Sequence, residues 1–373
     1  LILHVVRQSN GSTSTTGNRD YTPTVVAHTP TPAFPEGQVI YQSEHLELSS
    51  PVAWSPDGTR VAAAINRTTV ESWDALTGKN VLKFQPGETI AISPVGTNSV
   101  AWSPDSSTLA VATLSRVVLF NARTAQPIRT LSPPQPLGEG MLPFFAMSSL
   151  LPLSGNGGIG VDDVAWSPDN KYVSAFTSSG VYIWNAQNGS LATHLSNVYL
   201  IQNVNSVREI WQPHGHLLAT IECQDSACQS TQVSLWDTTT WSIVKQYPDI
   251  YTFDWSPSGN QLALVTATRT GVVIVNALTG QQVQQVTDPQ ISKITAVQWS
   301  PDGSRLALGT INSISVTTVS LSIWSVVSGK QLYVFPYNDC SEARWSPESM
   351  YVSCVRLVKT GSSSLEQIMI WVA

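Results

Sequence analysis

Short apolar stretches that end in tryptophan recur along the chain, each followed by a polar turn and a stretch where apolar and small residues alternate. The first copy, VAWSPDGTRVAAA, starts at Val52. In such a turn Pro sets φ at the first corner, Asp bonds the nearby backbone and Gly accepts a positive φ. Alternation with a period of two predicts β-strands. No segment shows convincing helical periodicity, so the pattern predicts an all-β protein.

The repeated tryptophan marks seven copies of this unit, which are Trp54, Trp102, Trp166, Trp211, Trp255, Trp299 and Trp345. Successive copies lie 44 to 48 residues apart, apart from one spacing of 64. A third and a fourth strand follow within a copy, as in VESWDALTG (70–78) and KNVLKF (79–84). A period in the mid-forties is typical of one four-stranded propeller blade per repeat.

WSPDG…LA, followed some 18–25 residues later by an IWD or IWN ending with A-x-x-G, resembles the WD40 repeat over roughly residues 37–373. The resemblance, to a bacterial type with degenerate motifs, implies a seven-bladed β-propeller of four-stranded antiparallel blades. The Trp-Asp pair appears only as Trp73-Asp74 and Trp236-Asp237, and the family's Gly-His pair is absent. The family's buried His–Ser/Thr–Trp–Asp network is therefore not expected in most blades. TolB-like six-bladed propellers are the alternative, but the third-strand ending and seven countable copies favour WD40.

The last copy ends at IMIWVA (368–373) and has no fourth strand of its own. EGQVIYQ (36–42) resembles the fourth strands of other copies but belongs to no complete blade. Residues 38–42 are therefore predicted to form the outer strand of the last blade, beside residues 366–372. This pairing would close the ring and remove exposed sheet edges. Deleting residues 1–42 should then lower thermal stability sharply, whereas deleting 1–34 should be nearly silent.

Composition narrows the functional classes. Only 12% of residues are charged, the formal net charge is −6 and no basic block exists, which argues against a nucleic-acid partner. No run of about 20 apolar residues is present, so no complete membrane span is predicted. Residues 1–36 are a Pro-, Thr- and Ser-rich linker. Its first residues, LILHVV, are either the tail of a truncated membrane anchor or signal, or an ordinary disordered end; the propeller is predicted over 37–373.

The four cysteines fall into two local pairs and are candidate disulfides. Cys223 and Cys228 flank QDSA in blade four, and Cys340 and Cys354 flank the first hairpin of blade seven. Local pairs of this kind favour an oxidising compartment; four free thiols are the alternative.

HGH at 214–216 could suggest a zinc site together with the nearby cysteines. However, His216 and Cys223 lie at opposite ends of one predicted strand, about 20 Å apart at 3.3 Å per residue. No metal site is predicted.

The spacing of 64 contains about 19 extra residues, within 131–163. This insertion joins blades two and three on the face that also carries the long second-to-third strand loops of blades four, six and seven. At its centre is an apolar cluster, the candidate partner-binding residues Met141, Leu142, Phe144, Phe145 and Met147. Leaving such side chains exposed is unfavourable. The insertion is therefore predicted either to fold back over the channel or to hold a partner.

No catalytic constellation or phosphate-binding loop is recognisable. Twelve of the thirteen tryptophans occupy repeated positions and are interpreted as packing between blades, while Trp241 lies in a turn before a fourth strand. The chain is interpreted as a monomeric, noncatalytic scaffold for protein interaction or ligand sensing, with a protein or peptide partner and no cofactor.

Two other functions stay open. One is the sensor half of a membrane-anchored signalling protein such as a kinase fusion, and the other is a propeller enzyme of the hydrolase or quinoprotein-like type. An extracytoplasmic, bacterial setting, with or without a membrane anchor, is favoured over a cytoplasmic one.

Overall fold

The computed structural model describes residues 39–45, 52–91, 99–134, 161–177, 179–196, 209–224, 230–287, 293–311, 319–335, 340–360 and 363–373. All of them lie in the compact unit Phe34–Ala373. They form seven four-stranded antiparallel sheets, so the predicted all-β, seven-bladed fold is confirmed. Within these ranges no helix is long and apolar enough to cross a membrane.

Strands are numbered in chain order, and those of blades one to four follow one another along the chain. Blade one contains β2 (Ala53–Trp54), β3 (Arg60–Asn66), β4 (Thr69–Asp74) and β5 (Leu82–Phe84). Blade two contains β6 (Val100–Trp102), β7 (Thr108–Ala112), β8 (Val117–Asn121) and β9 (Pro127–Leu131). Blade three contains β10 (Val161–Trp166), β11 (Tyr172–Thr177), β12 (Gly180–Asn185) and β13 (Leu191–Leu195). Blade four contains β14 (Glu209–Trp211), β15 (Leu217–Cys223), β16 (Thr231–Asp237) and β17 (Ser242–Pro248).

Blades five and six are built in the same way, whereas blade seven takes its outer strand from the start of the described chain. Blade five contains β18 (Ile250–Trp255), β19 (Gln261–Thr266), β20 (Gly271–Asn276) and β21 (Gln282–Thr287). Blade six contains β22 (Lys293–Trp299), β23 (Arg305–Ile311), β24 (Val319–Ser325) and β25 (Gln331–Val334). Blade seven contains β26 (Cys340–Trp345), β27 (Tyr351–Thr360), β28 (Ser363–Val372) and β1 (Val39–His45).

The strand pairing predicted for the end of the chain is observed. β1 lies antiparallel to β28, with Tyr41 opposite Ile370 and His45 opposite Glu366. β1 continues three residues past the predicted end at position 42. Val39 packs beside the buried Trp371 in the core between blades six and seven. β1 thus supplies the fourth strand that the last repeat lacks.

Seven inter-blade junctions hold the sheets side by side, and the repeated tryptophans make six of them. In blades two, three, five and seven the indole N–H donates to the carbonyl of the residue before the preceding blade's tryptophan, as from Trp102 to Ala53 O at 3.0 Å. Trp54 and Trp211 donate instead to serines of the preceding blade. The junction of blades five and six uses Asp254, which accepts from the Trp299 backbone N–H at 2.7 Å. These tryptophans therefore bond blade to blade, as their repetition predicts.

The SPD turns are built by their own side chains. In blade six, Ser300 Oγ donates to Asp302 Oδ1 at 2.6 Å and accepts from the Arg305 N–H, while Asp302 also accepts from the Ser304 N–H. Asp57, Asp105 and Asp169 repeat this arrangement in blades one to three. These aspartates are therefore turn residues, as predicted.

Each blade joins its first strand to its second at one end, here called the turn face, and blades one to six also join their third strand to their fourth there. The opposite end, the loop face, carries the second-to-third strand loops and the connections between blades. β9, the strand that precedes the insertion, ends at the loop face. The insertion's candidate residues Met141, Leu142, Phe144, Phe145 and Met147 lie outside the described residues. Their role stays a prediction.

Candidate functional site

A pocket of about 370 Å³ opens on the turn face between blades three and four. The first turn of blade three and both turns of blade four form it. Its lining residues, here called the aromatic pocket, are Ser167, Pro168, Asp169, Lys171, Tyr172, Trp211, Gly215, His216, Thr238, Thr239 and Trp241.

Three aromatic rings make the apolar part of the aromatic pocket. Tyr172 begins β11, and its ring lies parallel to that of Trp211, with centroids 6.1 Å apart and an interplanar angle of 8°. Trp241 meets Tyr172 edge-on, at 5.8 Å and 75°. Trp211 is buried, and its N–H donates to Ser174 Oγ at 2.8 Å. Tyr172 and Trp241 are half-buried and therefore supply the accessible aromatic surface.

Trp241 occupies a backbone position that does not suit it. It is the fifth residue of the turn between third and fourth strands, where its N–H donates to Asp237 O and its φ is +56°. The same position in the other described turns of this kind is held by small residues with positive φ, namely Gly78, Ala125, Gly189, Gly280 and Gly329. A bulky residue in the left-handed region costs about 1–2 kcal/mol. Such strain concentrates at functional sites.

The first turn of blade four departs from the repeat as well. Its sequence is QPHGH, and His214 has a φ of +56°. The residues at the same position in the other blades, such as Asp57 and Asp302, do not have a positive φ. Gln212 replaces the usual serine and accepts from the Leu217 N–H at 3.1 Å. Its amide also donates to Gly259 O of blade five at 2.8 Å. Blade four thus keeps its strands but changes both turns that border the aromatic pocket.

Charged groups surround the rings. Lys171 Nζ lies 4.8 Å from the Tyr172 ring centroid, a cation–π contact. Hydrogen bonding to Tyr172 and the charge of Asp169 raise the pKa of Lys171. Asp169 is exposed and belongs to the lining.

His216, another lining residue of the aromatic pocket, lies beside Asp237 of blade four. His216 Nε2 is 3.8 Å from Asp237 Oδ2. Hydrogen bonds from the Thr239 side chain and backbone hold the pKa of Asp237 below its usual value. Asp237 therefore stays ionised at neutral pH and anchors the turn that carries Trp241.

Among the candidate disulfide residues, Cys223 at the end of β15 and Cys354 in β27 are both disulfide-bonded. Cys228 lies outside the described residues, and the side chain of Cys340 is not described. The backbone places Cys340 opposite Arg356, two residues along β27 from Cys354. The pairings Cys223–Cys228 and Cys340–Cys354 stay predictions.

Among the described residues, no group of three His, Cys, Asp or Glu side chains could hold a metal ion. His216 directly precedes β15 and Cys223 ends it, so the two residues lie at opposite ends of one strand. The sequence analysis does not predict the aromatic pocket, because it places Trp241 in a turn and assigns it no contact. Aligning the turns DALTG, NARTA, NAQNG, DTTTW, NALTG and SVVSG would have revealed a tryptophan where glycine or alanine stands elsewhere.

Two protein-family models match parts of the chain. The WD40 domain of anaphase-promoting complex subunit 4 matches residues 253–359, and the WD domain, G-beta repeat, matches residues 147–185. WD40-type models therefore match these two segments of the chain, as the resemblance of its repeats to WD40 repeats predicts. No curated protein sequence matches significantly.

Solved structures resemble the whole propeller. The β-propeller domain of Myceliophteria thermophila Cps50 (Swd1) has a TM-score of 0.64 and 15% identity, and the match covers 91% of this chain and 100% of that one. A chain of the mitotic checkpoint complex has a TM-score of 0.62 and 19% identity, covering 97% and 99%. At these identities the likeness shows the fold alone.

Proposed function

We propose that this propeller with WD40-type repeats is a noncatalytic protein-interaction module, and that the aromatic pocket on its turn face is a partner-binding site. The observation that carries the proposal is Trp241, an aromatic residue at a strained position that small residues hold in the other described turns. Conformational strain is retained where the side chain has a use. Aromatic residues in a half-buried pocket are typical anchors of protein interfaces.

The chemistry of the repeats supports a binding role over catalysis. Asp57, Asp105, Asp169 and Asp302 each accept hydrogen bonds through Oδ1 within their own turns, which gives this oxygen a structural role. One of the similar solved structures is the β-propeller domain of Cps50 (Swd1), and the other is a chain of the mitotic checkpoint complex. WD40 propellers commonly serve as noncatalytic interaction scaffolds.

An extracytoplasmic setting is part of the proposal. Its support is the disulfide bonding of Cys223 and Cys354, because disulfides persist in oxidising compartments. Protein purified from such a compartment should show fewer than four titratable thiols in denaturant before reduction. Four free thiols would remove this support.

The binding role is tested by partner capture from a native extract with matched variants. Trp241→Gly introduces the residue that four other turns use, and Leu278→Ser changes an exposed apolar residue in the matching turn of blade five. Partners should be lost with Trp241→Gly and kept with Leu278→Ser.

The insertion between blades two and three gives a second, independent test. A double variant, Phe144→Ser with Phe145→Ser, changes only the partner-binding residues that the sequence predicts there. If it loses partners while Trp241→Gly keeps them, the binding face has been assigned wrongly. If the wild-type chain captures no partner above a bare-resin control, the interaction role itself is wrong.

A further inference from the structure

We propose that the aromatic pocket binds a lysine or arginine side chain of a peptide partner, and that Lys171 occupies this place in the free protein. The inference rests on the proposed function and adds the chemistry of the partner. It starts from the position of Lys171, whose ammonium lies over the Tyr172 ring with Asp169 two residues away.

The geometry around Tyr172 suits a cation. One side of the ring stacks on the buried Trp211, and Trp241 stands nearly perpendicular to it. The accessible surfaces of Tyr172 and Trp241 therefore form a corner of two π-systems. An ammonium or guanidinium within about 6 Å of such a ring is attracted by its quadrupole, and the apolar stem of the side chain packs against the second ring.

Charge complementarity favours a cationic guest over a neutral or anionic one. Asp169 is a carboxylate in the pocket lining, and the whole chain carries a formal charge of −6. Lys171 is exposed, so it can leave the ring without breaking buried structure. After it leaves, the accessible surfaces of Tyr172 and Trp241 and the Oδ2 atom of Asp169 can meet an incoming cation, while Asp169 Oδ1 keeps its hydrogen bonds from Ser167 and the Lys171 N–H.

The junction of blades seven and one has the same stacked tyrosine and tryptophan, but it lacks the third ring and the lysine. Tyr351 stacks on Trp54 at 6.5 Å and 7°, and Trp54 donates to Ser353 Oγ at 2.8 Å. Tyr172, Trp211 and Ser174 repeat this arrangement. However, Gly78 stands where blade four has Trp241, and Met350 stands where blade three has Lys171. The stacked pair is therefore structural, and the third ring and the lysine are the additions specific to the aromatic pocket.

The test titrates the full chain, labelled with fluorotryptophan, with four short peptides and follows ¹⁹F NMR signals. The peptides are acetyl-Gly-Ser-X-Ser-Gly-amide with X as lysine, arginine, norleucine or citrulline. Trp241→Gly identifies the signal of Trp241. The lysine and arginine peptides should shift that signal saturably, and their neutral counterparts should bind about two- to thirty-fold more weakly. Comparing lysine with arginine decides which cation is preferred.

Two variants isolate the chemistry. Lys171→Met keeps the length of the side chain but removes the ammonium, so it should strengthen binding of the lysine peptide about three- to tenfold, by the removal of a competing cation. Asp169→Asn should weaken the charged peptides and leave the neutral ones unchanged. The signal of Trp54 is the internal control and should not move.

Equal binding of lysine and norleucine, weaker binding in Lys171→Met, or a parallel shift of Trp54 would each overturn the inference. Because Lys171 is exposed, its variant tests binding without a folding defect. If the peptides fail while partner capture still depends on Trp241, the chemistry assigned here is wrong but the binding face stands. If both fail, the proposed function falls as well.

Discussion

The junction between blades three and four and the junction between blades seven and one share one construction. In each, a tyrosine that begins a second strand stacks on the repeated tryptophan of the next blade, at 6.1 Å and 6.5 Å respectively. The indole N–H then donates at 2.8 Å to the serine two residues after that tyrosine. The two junctions lie on different sides of the repeat array yet use the same three residue types.

The two junctions differ in what surrounds the stacked pair. The first adds Trp241 and Lys171 and has an irregular turn with His214 at φ +56°. The second has Gly78 and a regular SPD turn, in which Asp57 accepts from the Thr59 N–H. The contacts made by strand residues are thus shared by both junctions, whereas the differences between them are confined to turns.

Removing the tryptophan that each junction contains should have the largest effect on stability. Trp211→Ala and Trp54→Ala each remove a large side chain and an inter-blade hydrogen bond, so each should lower the free energy of unfolding by about 3 kcal/mol or more. Denaturant unfolding of both variants measures this. Trp→Phe at either position keeps a ring and isolates the hydrogen bond, about 1 kcal/mol. A near-silent Trp54→Ala beside a costly Trp211→Ala would show that the junctions are not equivalent.

Exchanging the residues that differ between the two junctions, Trp241 and Gly78, should change stability less. Trp241→Gly relieves a left-handed tryptophan but loses its contact with Tyr172, so stability should change by less than about 1 kcal/mol. Gly78→Trp adds the strain and should cost about 1–2 kcal/mol. Gly78→Ala separates the backbone cost from the effect of the ring. Thermal melting of the three variants is the measurement, and a large loss in Trp241→Gly would mean that Trp241 serves the fold.

The smallest expected difference is in how acid affects stability through the first turn of blade one, which contains Asp57, and the first turn of blade four, which contains His214. Burial raises the pKa of Asp57, but hydrogen bonds from Ser55 and Thr59 outweigh this and hold it below the usual value. Because the folded pKa is depressed, the stabilisation is present above the unfolded value, about 3.9, and is lost as pH falls through the folded value.

Melting temperatures between pH 5 and pH 2 should therefore fall less steeply in Asp57→Asn than in the wild type. His214→Asn removes no carboxylate from the irregular turn and should leave the slope below pH 4 unchanged. If the Asp57→Asn variant shows the wild-type slope, the hydrogen bonds to Asp57 do not lower its pKa in the folded protein below its value in the unfolded chain.

Much of the fold could be predicted because its signals are local. The tryptophan period and the SPD turns specify where strands begin and end, since Ser55, Asp57 and their counterparts bond to backbone groups only two to five residues away. The missing strand of blade seven could also be predicted, because EGQVIYQ carries a fourth-strand pattern with no blade of its own. Its register, with Tyr41 opposite Ile370, could not, because pairing across the chain ends depends on the packed sheet.

The number of blades and the chemistry of the turns could be predicted from residues that lie close together along the chain. The contacts among Tyr172, Trp211 and Trp241 in one pocket, and the contact of Tyr351 with Trp54 where Gly78 replaces a third ring, could not be predicted in this way. The difference is one of distance along the chain. A turn is specified by neighbours along the chain, whereas rings contributed by different blades come together only when whole sheets pack side by side, and that packing brings blade seven against blade one.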